Sequence, residues 1–288
     1  MAITALQKEL WAARMLEHLT TMTVASQICD TRLVPMEGGD TWHVVLPDDV
    51  TVSNTNDAAD ITYNLPGDSN VSVTKNFDKY FSLLKLDTNT MQIGDNEWFD
   101  AFAQNGIYQL ASALDSAVLA DYGNYGSTFQ EASSAWQFTV NTCADIPKFF
   151  AQLRSAIRTA EVDNLGMPYV VGPPGFGEAI DTYSAGRETA YGDAQLLSGG
   201  QRAFTFNGFR VFISNNLTTD TSIRGAAGVL GYGRVLGTYA TPEMLEDVGR
   251  AEGRFGNLIR GRLAAGHKVV RSAALWDVQF NATVVATS

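Results

Sequence analysis

The feature that most restricts the folds open to this chain is the polar stretch from Asn54 to Asn70, together with the strands on either side of it. Thr41–Leu46 (TWHVVL) and Val50–Ser53 read as strands, and Val71–Thr74 and Phe81–Leu86 read as strands coming back. The Asn, Asp, Gly, Ser and Pro66 between them predict a long, exposed connection. The whole is an extended hairpin with an acidic tip. A two-stranded ribbon has too little core to stand alone in water, so this one must rest on something else.

The rest of the chain alternates helical and strand patterns. Residues 3–20 read as an amphipathic helix with two apolar stripes, Ile3, Leu6, Leu10 and Ala13 beside Trp11, Met15 and Leu19. A terminal helix with two stripes needs contacts on two sides. The longest helix is predicted over 95–122, from the spacing Ile107, Leu110, Ala111, Leu114, Val118, with Gly106 marking a bend or a close packing contact. A loop over 122–135 leads to a second helix at 146–162, capped by Asp145, with the stripe Ile146, Phe149, Phe150, Leu153, Ile157.

Tyr169–Val171 predicts a short buried strand stopped by Gly172-Pro173-Pro174-Gly175. Asn207-Gly208 between alternating apolar flanks predicts a tight hairpin with a type I′ turn. Helical pieces are expected near 224–238 and 242–248. Trp276, Val278, Phe280, Ala282 and Val284 alternate with polar residues, which predicts a long last strand with one dry face.

Composition narrows the function classes. Apolar residues make up 45% of the 288-residue chain and charged residues 18%, against roughly 25% charged in an average domain. Both a large core and a surface covered by sister subunits produce that balance. The net charge of −11 repels phosphate and argues against a primary role in gripping nucleic acid. Charge is also unevenly placed. Asp40, Asp48, Asp49, Asp57, Asp60 and Asp68 crowd the hairpin, whereas Arg250, Arg254, Arg260, Arg262, Lys268 and Arg271 face only Glu252 in their segment. Two such regions are either solvated faces or complementary patches that meet between copies.

No constellation for catalysis or metal binding emerges. His18, His43 and His267 lie far apart with no metal-ligand spacing. Cys29 and Cys143 form no CxxC pair and no disulfide framework, which fits a reducing compartment. Gly231-Tyr232-Gly233-Arg234-Val235-Leu236-Gly237 is one residue out of step with a dinucleotide loop. The Asp48 to Asp60 stretch lacks the glycine and terminal glutamate of a calcium loop. The pair Asp95 and Glu97 is the best that an acidic-hydrolase reading offers. No signal peptide or membrane-length apolar run is seen. Neither a catalytic residue nor a cofactor or metal site is expected, and the chain reads as non-enzymatic.

The order of parts resembles the major capsid proteins of tailed bacteriophages, of the Hong Kong 97 type. The local wording agrees. LWAARMLEHL resembles the N-arm of that family; Gly39-Asp40-Thr41, Ile61-Thr62-Tyr63 and Leu83 to Asp87 resemble its extended loop. Ala113-Leu114-Asp115 through Leu119-Ala120 looks like the end of its spine helix. Tyr169-Val170-Val171-Gly172-Pro173-Pro174, Asn207-Gly208-Phe209 and Ser214-Asn215-Asn216-Leu217 look like its axial domain, and Gly266-His267-Lys268-Val269-Val270 before the last strand also fits. Each motif is short, and their order carries the resemblance.

The resemblance implies an α+β chain with an N-arm over 1–36, an extended loop over 37–94, a peripheral domain with the spine helix over 95–165, an axial domain over 166–265 and a C-terminal strand over 266–288 returning to the peripheral domain. It implies hexamers and pentamers tiling an icosahedral shell around double-stranded DNA, without sequence-specific binding, in a virion assembled in the host cytoplasm. A separate scaffolding protein and a portal would be partners. No Lys–Asn cross-link is expected from Lys75 or Lys79. Contacts between copies are expected at Trp11 and between the acidic loop residues Asp48, Asp57 and Asp60 and the arginines Arg254, Arg260 and Arg262. A related reading with the same fold is an encapsulin-like nanocompartment shell; a phage tail or connector component is a further one.

Overall fold

The computed structural model describes residues 23–29, 41–47, 52, 68–86, 95–131, 136–137, 145–162, 166–185, 203–217, 224–229, 234–236, 243–250 and 256–281. In chain order these form α1 (Ala25–Ile28), β1 (Thr41–Pro47), β2 (Asp68–Thr74), β3 (Phe77–Leu86), α2 (Asp95–Leu119) and a 3-10 turn at Ala120–Asn124. Next come β4 (Ser127–Phe129), β5 (Trp136–Gln137), α3 (Asp145–Thr159), β6 (Pro168–Gly172) and α4 (Pro174–Ala185). Then β7 (Ala203–Phe206), β8 (Phe209–Ile213), β9 (Arg224–Val229), β10 (Arg234–Leu236), β11 (Glu243–Arg250), β12 (Gly256–Ala265), β13 (His267–Val269) and β14 (Leu275–Asn281) follow. The helix expected over 3–20 lies outside the described residues, as do most of the hairpin tip and the chain beyond 281.

A seven-stranded sheet runs in the order β4-β14-β9-β6-β8-β7, with β5 also paired to β14. Its central strands are apolar on both faces, and the period of two sends alternate residues into two different cores. Val170, Phe209, Val211, Trp276 and Val278 face α3 and α4, where Ile146, Phe149, Phe150, Leu153, Ile157, Phe176 and Ile180 complete one cluster. Phe149 is its hub, in edge-to-face contact with Trp136, Phe150 and Phe176 at centroid distances of 5.4, 5.2 and 5.6 Å. Tyr169, Val171, Phe212 and Leu275 point the other way, onto α2 and α1 through Ile107, Leu110, Leu114, Val118 and Ile28. The last strand therefore has two dry faces, not the one expected. Leu275, Trp276, Asp277 and Val278 are all buried, because β14 is an interior strand between β4 and β9.

The β7–β8 hairpin forms as predicted. Asn207 has φ 47° and Gly208 φ 80°, the pair of positive angles that a type I′ turn requires. The long helix occupies 95–119 and tightens into the 3-10 turn, and the second helix occupies 145–159.

One expectation is met and extended, and another is corrected. The Gly172-Pro173-Pro174-Gly175 run ends β6 but also starts α4, with Pro174 at the first helical position, where its missing N–H costs nothing. The helices expected near 224–238 and 242–248 are strands. Arg224–Val229 inserts between β14 and β6, and a Cβ built on Gly228 would lie 2.4 Å from Leu275 Cδ2. Close packing selects the small residues there, and pairing overrides their low strand propensity. Glu243–Arg250 is likewise drawn into a ladder with β12.

Candidate self-assembly surface

A second sheet, in the order β11-β12-β3, lies against α2. Phe77 of β3 pairs with Ala265 of β12, and the register runs on to Leu86 opposite Gly256. Phe81 stands opposite Gly261, and its ring fills the space between β12 and α2. A Cβ on Gly261 would lie 2.4 Å from Phe81 Cε1, and one on Gly106 would lie 2.9 Å from Phe81 Cδ2 and Cε2. Gly106 therefore marks a close packing contact, one of the two roles expected for it.

On the other face of this sheet, several described side chains are open to solvent. Asp78, Tyr80 and Ser82 of β3 and Arg260 and Arg262 of β12 are exposed on it, with Tyr80 at 75%. Arg262 donates from Nε to Asp78 Oδ1 at 2.7 Å, and its Nη2 bonds the other carboxylate oxygen. This Arg262 guanidinium holds the Asp78 carboxyl below the ordinary carboxylate range, with weaker opposition from desolvation. An exposed pair of this kind contributes at most about 1 kcal/mol.

The hairpin forms the third region. β1 and β2 pair antiparallel from Thr41↔Thr74 to Pro47↔Asp68 and have no other strand partner among the described residues. One face carries Thr41, His43 and Val45, all exposed, with Val45 at 55%. On the other face, among the described side chains, Val73 is fully buried with Val44 and Val270 in a small cluster separate from both main cores.

Of the contact residues expected from sequence, Trp11, Asp48, Asp57, Asp60 and Arg254 lie outside the described residues. Arg260 and Arg262 are brought together, two apart on the open face of β12. Arg262 meets an acid of its own chain, Asp78, which charge asymmetry alone did not indicate. Sequence reading also missed Tyr80, the Phe81 clamp and Asn76. The alternation of Phe77, Lys79 and Phe81 with Asp78, Tyr80 and Ser82 was a signal for the two faces of β3. Nothing local announced Gly261 as the partner of Phe81.

Among the described residues, no group of three His, Cys, Asp or Glu side chains could hold a metal ion, and no helix is long and apolar enough to cross a membrane.

This arrangement of mixed helices and sheets is a phage capsid-like fold, as the solved structures it superposes on show. A chain from Mycobacterium phage Che8 superposes with a TM-score of 0.68 at 20% identity, covering 91% of this chain and 92% of that one. A chain in the capsid structure of the cyanophage P-SCSP1u gives 0.62 at 15% identity, over 88% and 87% of the two chains. A virus-like particle from Pyrococcus furiosus gives 0.54 at 10% identity, over 94% and 98%. No protein-family profile matches the sequence, and no curated protein matches it.

Proposed function

We propose that this chain is the major capsid protein of a tailed bacteriophage. It would assemble as hexamers and pentamers into an icosahedral shell around double-stranded DNA, with no enzymatic role. The observation that carries this reading is the end-to-end likeness to the Che8 phage chain. The two-stranded ribbon supports it, because a ribbon with one small described cluster and an exposed Val45 calls for a covering partner. In Hong Kong 97 terms, the ribbon belongs to the extended loop over 37–94, α2 is the spine helix of a peripheral domain over 95–165, and the axial domain spans 166–265. The C-terminal strand over 266–288 returns to the peripheral segment, a reading supported by the pairing of β14 with β4 and β5.

Identical copies in a closed lattice meet through heterologous contacts. Asp48, Asp57 and Asp60 of one loop would meet Arg254, Arg260 and Arg262 of the next copy, and Trp11 would anchor the N-arm. Arg262 would then exchange Asp78 for a neighbour's carboxylate. A scaffolding protein and portal would be separate partners, and assembly would take place in the host cytoplasm.

The test is expression of the chain alone and with a scaffolding protein, followed by size-exclusion chromatography and negative-stain electron microscopy. Closed particles or hexamer and pentamer rings support the reading. A monodisperse monomer under every condition removes it. Arg260→Glu should impair assembly and leave a soluble, folded subunit; normal particles from that variant would sink the charge-pairing part.

A nanocompartment shell is the second reading, favoured by the likeness to the Pyrococcus furiosus particle over 98% of that chain. Particles from the native source separate the two. Packaged DNA marks a virion, and packaged protein cargo marks a compartment.

A further inference from the structure

On the β2 side, ribbon and body are joined by a link only two residues long. β2 ends at Thr74 and β3 begins at Phe77, leaving Lys75 and Asn76 between them. Across that joint the chain changes partners, from β1 to β12. The β3–β12 ladder stops at Phe77↔Ala265, so backbone pairing holds nothing at the joint itself.

A side chain takes its place. The Asn76 carboxamide donates from Nδ2 to the His267 carbonyl at 2.9 Å and accepts from the His267 N–H at Oδ1 at 3.0 Å. One planar amide thus satisfies both backbone groups of one residue, as a strand neighbour would. His267 is itself fixed. Its strand, β13, pairs with β10, and its Nδ1 lies 2.7 Å from Asp121 Oδ2 in the turn that ends α2. Beyond the joint, Lys268 Nζ donates to the Ser72 carbonyl at 2.8 Å, but this bond is exposed.

We propose that Asn76 is a latch that fixes the direction in which the β1–β2 ribbon leaves the body. Opening it breaks no rung of the β1–β2 or β3–β12 ladders. With it open, the ribbon can swing about Lys75–Asn76 as a unit once the small Val73–Val270 packing and the exposed Lys268–Ser72 bond also part, while both main cores stay intact. The latch concerns a single chain and does not rest on the shell reading.

The test is the distance distribution between spin labels at Val45→Cys on the ribbon and Gln152→Cys on α3. It uses the full chain carrying Cys143→Ser, with buried Cys29 left in place and unlabelled chain added to dilute contacts between copies. With Asn76 present, one narrow peak is expected. Asn76→Ala removes both bonds, and the peak should broaden about twofold or more at half height. Far-UV circular dichroism and the melting midpoint should stay close to those of the parent. Asn76→Asp has the same shape and cannot donate to the His267 carbonyl. It should broaden the peak too, and it reads the bonds if Asn76→Ala fails to fold. An unchanged width in either folded variant overturns the latch. So does loss of the whole fold in both, which would make Asn76 part of the core.

Discussion

Gly261→Ala adds one methyl group, and its effect follows from the ring of Phe81. In an open strand the change should stabilise by about 0.5–1 kcal/mol, because alanine loses less backbone entropy on folding. Here the new Cβ would lie 2.4 Å from Phe81 Cε1 and 2.7 Å from Cζ, well inside contact distance. The ring cannot retreat toward α2, because a Cβ on Gly106 would already be 2.9 Å from its opposite edge. Overpacking of this kind costs about 1–3 kcal/mol. The net expectation is a loss of about 0.5–2 kcal/mol, read from urea unfolding followed by tryptophan fluorescence as a lower midpoint at unchanged slope. The decisive comparison is a cycle with Phe81→Ala, which empties the space. In that background Gly261→Ala should become stabilising, so the two substitutions couple by about 1–3 kcal/mol. A Gly261→Ala variant more stable than the parent, or one with the same effect in both backgrounds, would refute the clamp.

Three further outcomes follow. Asp115 is 3% exposed and accepts hydrogen bonds from Val24 N at 3.0 Å and Ala25 N at 2.8 Å, so Asp115→Ala should cost about 1–3 kcal/mol and speed amide exchange at Val24 and Ala25 first. Burial pushes the Tyr169 phenol well above its ordinary pKa, and its hydroxyl finds no hydrogen-bond partner among the described residues; Tyr169→Phe should therefore be neutral or stabilising by up to about 1 kcal/mol in the same urea assay. Arg262→Ala should return the Asp78 pKa toward its ordinary 3.8 in an NMR titration. Because the folded pKa is the depressed one, the pair's small contribution is present above that value and is lost as the pH falls through the folded pKa.

Much of the fold was legible because its signals were local. Asn207-Gly208 specifies its own turn, and the stripe from Ile146 to Ile157 specifies its own helix. The ribbon declared its dependence on a partner through what it lacked. Three things were not legible, and each depends on distant residues. Arg224–Val229, read as a helix, became a strand because the space between Tyr169 and Leu275 admits only small residues. Pro174 was read as a stop because its helix-starting role depends on how β6 delivers the chain. Asn76 carries no pattern of its own; its meaning lies in His267, reached only after α2 and all but the last strand of the seven-stranded sheet. The assembly surface was half legible. Charge pointed to Arg260 and Arg262, but not to Asp78, which already occupies Arg262 within the chain.

The pairing of β3 with β12 also sets a timetable for synthesis. β3 leaves the ribosome early, but its partner strand emerges about 180 residues later, roughly ten to forty seconds at ~5–20 residues per second. Until then the Phe77–Leu86 edge has no ladder and Phe81 lacks Gly261, one of the two glycines it packs between. An unpaired apolar edge held open that long on a polysome crowded with identical copies is a template for wrong pairing. Heavy expression should therefore be limited by chaperone supply before it is limited by the stability of the finished subunit.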